Sequence, residues 1–201
     1  MSASQPVNRR ATDAENSARS EMYRFVAALL STAPKQELID GIAVLTGDQT
    51  PLGHAITALS DSARTAVASA VEREFFDLFI GVGRGELLPY ASFYQTGFLN
   101  ERPLAELRGD LARIGVARIE GRHEPEDHIA LLLEVMADLA AGVLDVDAAV
   151  QADFFARHIA PWAAQFFDDL AIAPSASFYR PVAEIGRLLV DIEARAFSLA
   201  A

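Results

Sequence analysis

Cysteine is absent from the 201 residues, which excludes disulfides, cysteine-ligated zinc, an iron–sulfur cluster held by the chain's own thiolates and thiol catalysis. Positive charge is scarce: 17 lysines and arginines face 28 acids, giving a formal net charge of −11 and a pI near 4.7. Such a surface repels nucleic-acid phosphates and anionic lipid while speeding encounters with cations, so basic peptides are the expected partner class and nucleic acid is not. Long apolar runs are missing as well. Even Ile129 to Leu139 is broken by Glu134 and Asp138, well short of the roughly 18 apolar residues of a membrane span. Arg9 and Arg10 form a twin-arginine pair, but Ala-Thr-Asp-Ala-Glu-Asn-Ser follows, with no apolar core and no small-residue cleavage site. A soluble, cytoplasmic protein that is not itself exported is therefore expected.

No strand alternation and no repeat is visible, and what remains is helical periodicity. With 51% hydrophobic residues, the chain is long enough for one substantial core. A single all-α, multi-helix unit over 1–201 is expected, with 1–12 as a flexible tail. Thr12 and Glu15 are spaced as a capping box before a helix carrying Tyr23, Val26 and Leu30 that should stop before Pro34. A shorter helix follows from Pro34 to about Leu45, and Pro51 opens another through Leu59. Ala63, Val67, Val71, Phe75, Leu78 and Phe79 then recur at threes and fours, which predicts one long helix ending at Gly81. Pro103 opens a helix with Leu104, Leu107, Leu111 and Ile114 on one side, and Gly115 is placed to end it in the left-handed conformation. The loop 115–124 is the candidate hinge. Further helices are expected near 125–141, 146–159, 161–171 and 177–199, the last with Val182, Ile185, Leu188, Leu189 and Ile192 inward.

Two segments break this regularity. In 81–100, Gly81, Gly83 and Gly85 hint at a phosphate-binding loop, but the lysine and fixed glycine spacing of such loops are missing. Leu87, Leu88, Pro89, Tyr90, Phe93, Tyr94, Phe98 and Leu99 are many large apolar groups for a connector, so the loop is either buried or an apolar binding surface. The second segment is Glu124-Pro125-Glu126-Asp127-His128-Ile129-Ala130. Its bland reading is a helix start: Pro125 in the first turn, the acids against the positive end of the dipole, and His128 one step inside. A zinc-protease site is disfavoured, because its two histidines stand at i and i+4 whereas His123 and His128 are five apart with Pro125 between. A metal-dependent hydrolase using His123, Glu124, Asp127, His128 and His158 ranks low, as does a nucleotide hydrolase using 81–85. No nucleophile–base–orienter set is present, so no catalytic residue, resident metal or cofactor is expected.

Taken in order, Glu74-Phe75-Phe76-Asp77-Leu78-Phe79-Ile80-Gly81, Leu88-Pro89-Tyr90-Ala91-Ser92-Phe93-Tyr94, Glu124 to Ala130, and Phe154 to Phe167 with His158, Pro161 and Trp162 resemble the TorD/DmsD/NarJ family of redox-enzyme maturation chaperones. The blocks span most of the chain. The resemblance implies an all-α fold and a cytoplasmic role in holding a molybdenum-cofactor oxidoreductase subunit while its cofactor is inserted and its twin-arginine export is delayed. It implies peptide-binding positions at Phe75, Leu78, Phe79, Pro89, Tyr90, Asp127 and His128. Several relatives carry tryptophan at the positions of Phe75 and Tyr90, so the client's identity stays open, as do a monomer or a domain-swapped homodimer. The physical expectation agrees with this. A twin-arginine signal has a cationic start and an apolar middle, and its receptor needs an apolar groove with carboxylates at one end. Phe75, Leu78, Phe79, Pro89, Tyr90 and Tyr94 would bind the apolar part. Asp127, helped by Glu124 and Glu126, would receive the arginines, with His128 orienting Asp127 or bonding the peptide backbone. A helical interaction module with a non-redox client is the further alternative.

Overall fold

The computed structural model describes residues 5–117, 124–144 and 146–200, and every regular element among them is helical. Ten α-helices run in order: α1 (Gln5–Ser31), α2 (Gln36–Ala43), α3 (Pro51–Thr65), α4 (Ala68–Phe75), α5 (Ala91–Thr96), α6 (Arg102–Arg113), α7 (Ile129–Ala140), α8 (Ala148–His158), α9 (Ala163–Ile172) and α10 (Tyr179–Ala200), with a π-helical turn, Phe76–Ile80, after α4. Helix α1 lies along α7, α9 lies along α10, and α3 joins α2 to α10. The core between them holds Tyr23, Leu29, Leu132, Met136, Trp162, Phe166, Phe167 and Ile185, each at most 2% exposed.

Local chemistry explains most of the boundaries. Pro51 occupies the first turn of α3, and the Thr50 side chain accepts the Gly53 N–H at 3.0 Å, which satisfies a donor the helix cannot. At the end of α6, Gly115 has φ 79°, its N–H reaches the Ala112 carbonyl, and the Val116 N–H reaches that of Leu111 at 2.9 Å. This is the Schellman pairing that a left-handed glycine permits. The candidate hinge beyond it falls largely on 118–123, outside the described residues.

Three features of the helices differ from expectation: the start of α1, the break before α4 and the inward face of α10. The capping box at Thr12 and Glu15 does not form, because α1 already begins at Gln5 and passes through Thr12. Pro6 falls in its first turn, where a missing N–H costs nothing. Of the tail expected over 1–12, residues 1–4 lie outside the described residues and 5–12 belong to this helix. The single long helix through Val67 is broken: Ala66 and Val67 are extended, and α4 restarts with the Ala68 N–H donating to the Gln36 side chain of α2 at 3.0 Å. Val67, which would have continued the apolar stripe, is 59% exposed. Two β-branched residues, Thr65 and Val67, weaken the helix there. In α10, Ile192 points outward at 46% exposure while Glu193 is buried at 1%. Glu193 takes the inward position because Arg19 holds both its oxygens, at 2.8 and 2.6 Å, and the Tyr23 hydroxyl donates to it at 2.8 Å. That pairing offsets the cost of burying the carboxylate.

Candidate functional site

The two irregular segments of the sequence meet in space. The Ile129 N–H donates to the Pro89 carbonyl at 2.9 Å and the Ala91 N–H to the Asp127 carbonyl at 3.0 Å, so Tyr90 and His128 face each other in a one-residue antiparallel bridge. Each strand of this crossing ends in a helix start. Tyr90 precedes α5 and His128 precedes α7. The bridge holds His128 in extended backbone, and its Nδ1 accepts the Ala130 N–H at 3.1 Å. An accepting Nδ1 leaves the ring proton of the neutral imidazole on Nε2. Helix α7 therefore opens at Ile129, not near 125. Pro125 is outside its first turn, and His128 is the cap rather than a residue inside the helix. The cause is long-range: backbone pairing to Pro89 and Ala91 competes with helix over 125–128.

The three acids of the segment have separate fates. Asp127 is fully buried, and its Oδ2 accepts the Ser92 N–H at 2.8 Å. Its Oδ1 has no hydrogen-bond partner, nor does the Ser92 hydroxyl beside it. Asp127 thus ties the start of α5 to the start of α7. Glu124 is exposed and accepts from the Tyr90 hydroxyl. Burial, and then this carboxylate, push the Tyr90 phenol well above its ordinary pKa. Glu126 lies at the rim and is gripped by Arg108 of α6, whose Nε and Nη2 stand 3.0 and 2.8 Å from its Oε2.

The structure brings Pro89, Tyr90, Asp127 and His128 together, with the Tyr90 and His128 rings edge to face at 5.2 Å. Phe75, Leu78 and Phe79 form a second group. Phe75 is 8% exposed and Leu78 fully buried, and the Phe75 and Phe79 rings pack on Tyr179 at 6.1 and 5.5 Å. Tyr94 stands in a third place, against Trp162 and Phe166, with its hydroxyl on Asp169 at 3.0 Å. The first two groups are connected. Leu87 and Glu86 donate backbone N–H groups to Leu78 and Asp77 at 2.8 and 3.1 Å, laying the chain that leads to Pro89 over the π-turn. Gly81 closes that turn at φ 63°, and a side chain at Gly85 would strike the Leu78 and Phe79 backbone.

Of the residues that the sequence singles out on this turn, Phe75 and Leu78 are buried and Phe79 is half-buried. Phe76, Ile80 and Val82 are the exposed members, at 36%, 54% and 98%. The helical period that marks Phe75 and Phe79 as one face marks Phe76 and Ile80 as the other, so the signal was present. Sequence reasoning missed a buried network: Asp110 accepts from His158 Nε2 and Arg157 Nη1, both at 2.7 Å, and from Arg113. His158, offered as a metal ligand, is committed there. Among the described residues no three histidines or acids converge to hold a metal ion, and His123 lies outside them. The glycine loop follows a π-turn instead of a strand, which is not the setting of a nucleotide loop. A surface groove of about 1100 Å³ lies elsewhere, between α1, the α7–α8 connection and α10.

The chain is similar to known proteins along most of its length. Residues 46–168 match the family described as nitrate reductase delta subunit. The chaperone protein TorD of Vibrio cholerae serotype O1 is 28% identical over 175 residues, covering 75% of this chain and 79% of that protein. TorD of Vibrio atlanticus is 29% identical over 178 residues, covering 77% and 83%. A solved structure from Archaeoglobus fulgidus, assigned to redox enzyme maturation, shares the fold with a TM-score of 0.57 over 86% of this chain and 93% of that one, at 18% identity.

Proposed function

Because the chain belongs to the nitrate reductase delta subunit family, and the relatives it resembles along most of its length are named chaperones and not enzymes, we propose that this maturation chaperone is cytoplasmic and holds a molybdoenzyme catalytic subunit by its twin-arginine signal peptide. Holding the subunit would delay export while cofactor is inserted. The observation that carries the reading is the crossing of 89–92 with 124–129, which brings the Glu124 carboxylate to Tyr90 and Glu126 to Arg108, on a segment that Glu86 and Leu87 join to the apolar turn. The peptide's apolar middle would lie over Phe76, Ile80 and Val82, supported from beneath by Phe75, Leu78 and Phe79, and continue toward Pro89, Tyr90 and Tyr94. Its arginines would meet Glu124 and Glu126 at the rim. Asp127, walled off at 0% exposure, would position the loop with His128 and offer Oδ1 only if the loop opens. Among the described residues no helix is long and apolar enough to cross a membrane.

Titration calorimetry with a twin-arginine signal peptide from a molybdoenzyme of the same organism tests this. Binding is expected, and it should weaken as salt rises, because part of the attraction is between exposed charges. No binding at either low or high salt would overturn the reading.

A further inference from the structure

The rim of the acidic crossing already holds an arginine. Arg108 presents Nε and Nη2 to one oxygen of Glu126, at 3.0 and 2.8 Å. The exposures are unequal: the Glu126 side chain is 14% exposed and that of Arg108 48%. The acid is therefore largely enclosed, while the cation that covers it stands half in water. The next residue in the chain, Asp127, is fully buried with Oδ1 lacking a hydrogen-bond partner, and the buried Ser92 hydroxyl lacks one too. A guanidinium seated on Glu126 is the contact an incoming peptide arginine would itself make.

We propose that Arg108 is an internal competitor, which occupies Glu126 in the free chaperone and is displaced by an arginine of the client's signal peptide. The proposal rests on the peptide-binding reading above. The exchange is like for like, so the incoming arginine gains little from the contact with Glu126 alone. Arg108, already half exposed, can turn into water at small cost. A lysine is a poorer displacer, since it brings a single point charge against a two-nitrogen grip. Arg108 thus acts as a filter that only a guanidinium held in place by its neighbouring residues can pass.

Replacing Arg108 should therefore strengthen binding. A rim ion pair is worth little, and the apparent affinity is reduced by the fraction of molecules in which the site is occupied, so R108Q should bind a twin-arginine peptide about two- to fivefold more tightly than wild type. R108K should fall between them. In an E126Q background the gain should vanish, because there is nothing left to uncover. Titration calorimetry on the full chain, with a thermal melt of each variant, reads wild type, R108Q, R108K, E126Q and the R108Q/E126Q double variant. If Arg108 merely anchors the loop to α6, R108Q will loosen it and bind more weakly. Weaker or unchanged binding by a folded R108Q, while wild type binds, overturns the competitor and leaves the chaperone reading standing. A gain that persists with E126Q also overturns it. Failure of wild type and every variant to bind overturns both.

Discussion

Glu193 and Asp127 are both buried carboxylates, and the fold treats them in opposite ways. Glu193 sits between α1 and α10 with both oxygens gripped by Arg19 and a third bond from Tyr23. Arg19 is itself braced by Gln151 at 2.7 Å and stacked on Phe197. Asp127 has one amide, that of Ser92, and an oxygen with no partner. A buried carboxylate with both oxygens engaged is a structural clamp, whereas an incompletely satisfied one asks for a reason. At Asp127 the proposed function supplies a reason: the residue ties the starts of two helices together at the surface proposed to receive a cationic peptide.

The largest expected effect tests the clamp. Glu193→Ala leaves the Arg19 guanidinium and the Tyr23 hydroxyl without their partner and should cost about 3–5 kcal/mol of stability, seen as a steep drop in melting temperature. A variant melting close to wild type would remove the contrast. Peptide affinity of the folded fraction should be unchanged.

Acid pH probes a third buried acid, Asp110, through its partner. Burial and the neighbouring Arg157 push the His158 imidazole down to about 4. Arg157 and Arg113 both pair with Asp110, so its carboxylate cannot hold a proton on the ring. In the unfolded chain the histidine takes its proton near 6.5. Between those values the unfolded state binds the extra proton, so stability must fall as pH drops through that window, by on the order of 3 kcal/mol at its lower end. Denaturant titrations at several pH values should show the slope, and His158→Gln should flatten it. A slope unaltered by that substitution would mean that other groups set it.

Asp127 should be milder to change than Glu193. Asp127→Ala strips the Ser92 N–H of its acceptor and should cost about 1–3 kcal/mol, and peptide binding should weaken because the crossing loosens. Asp127→Asn keeps an oxygen for Ser92 and adds a donor for its unpartnered hydroxyl, so its cost should stay below about 1 kcal/mol. Calorimetry on the asparagine variant then sharpens the assignment. Undiminished affinity leaves the arginines to Glu124 and Glu126, and a loss gives Asp127 a direct share. The smallest effect is expected for Tyr90→Phe, which removes one bond to an exposed Glu124 and should cost about 0.5 kcal/mol, while making peptide binding more sensitive to salt. Unchanged salt sensitivity would show that Glu124 does not face the peptide.

Much of the fold could be read locally. Gly115 announced its left-handed cap and Pro51 and Pro103 their helix starts, because those effects reach only a few residues along the chain. The site was half legible. Tyr90, Asp127 and His128 lie together in the structure, yet Asp127 and His128 were expected on a helix that starts four residues too early. No sequence window contains both the Pro89 carbonyl and the Ile129 amide that compete with that helix. Gln36 capping Ala68 across a gap of more than thirty residues breaks the predicted long helix for the same reason.

By itself the sequence determined the all-helical class, the negative net charge, the exclusion of thiol and disulfide chemistry, and the ordered blocks that mark the family. These follow from composition and short-range periodicity, which every residue carries with it. Only the tertiary structure decided which acid is buried and which is at the rim, that Phe76 and Ile80 rather than Phe75 and Leu78 face outward, and that Arg108 already sits on Glu126. Burial and pairing depend on what packs against a side chain from distant parts of the chain, and that is settled only when the helices close on one another.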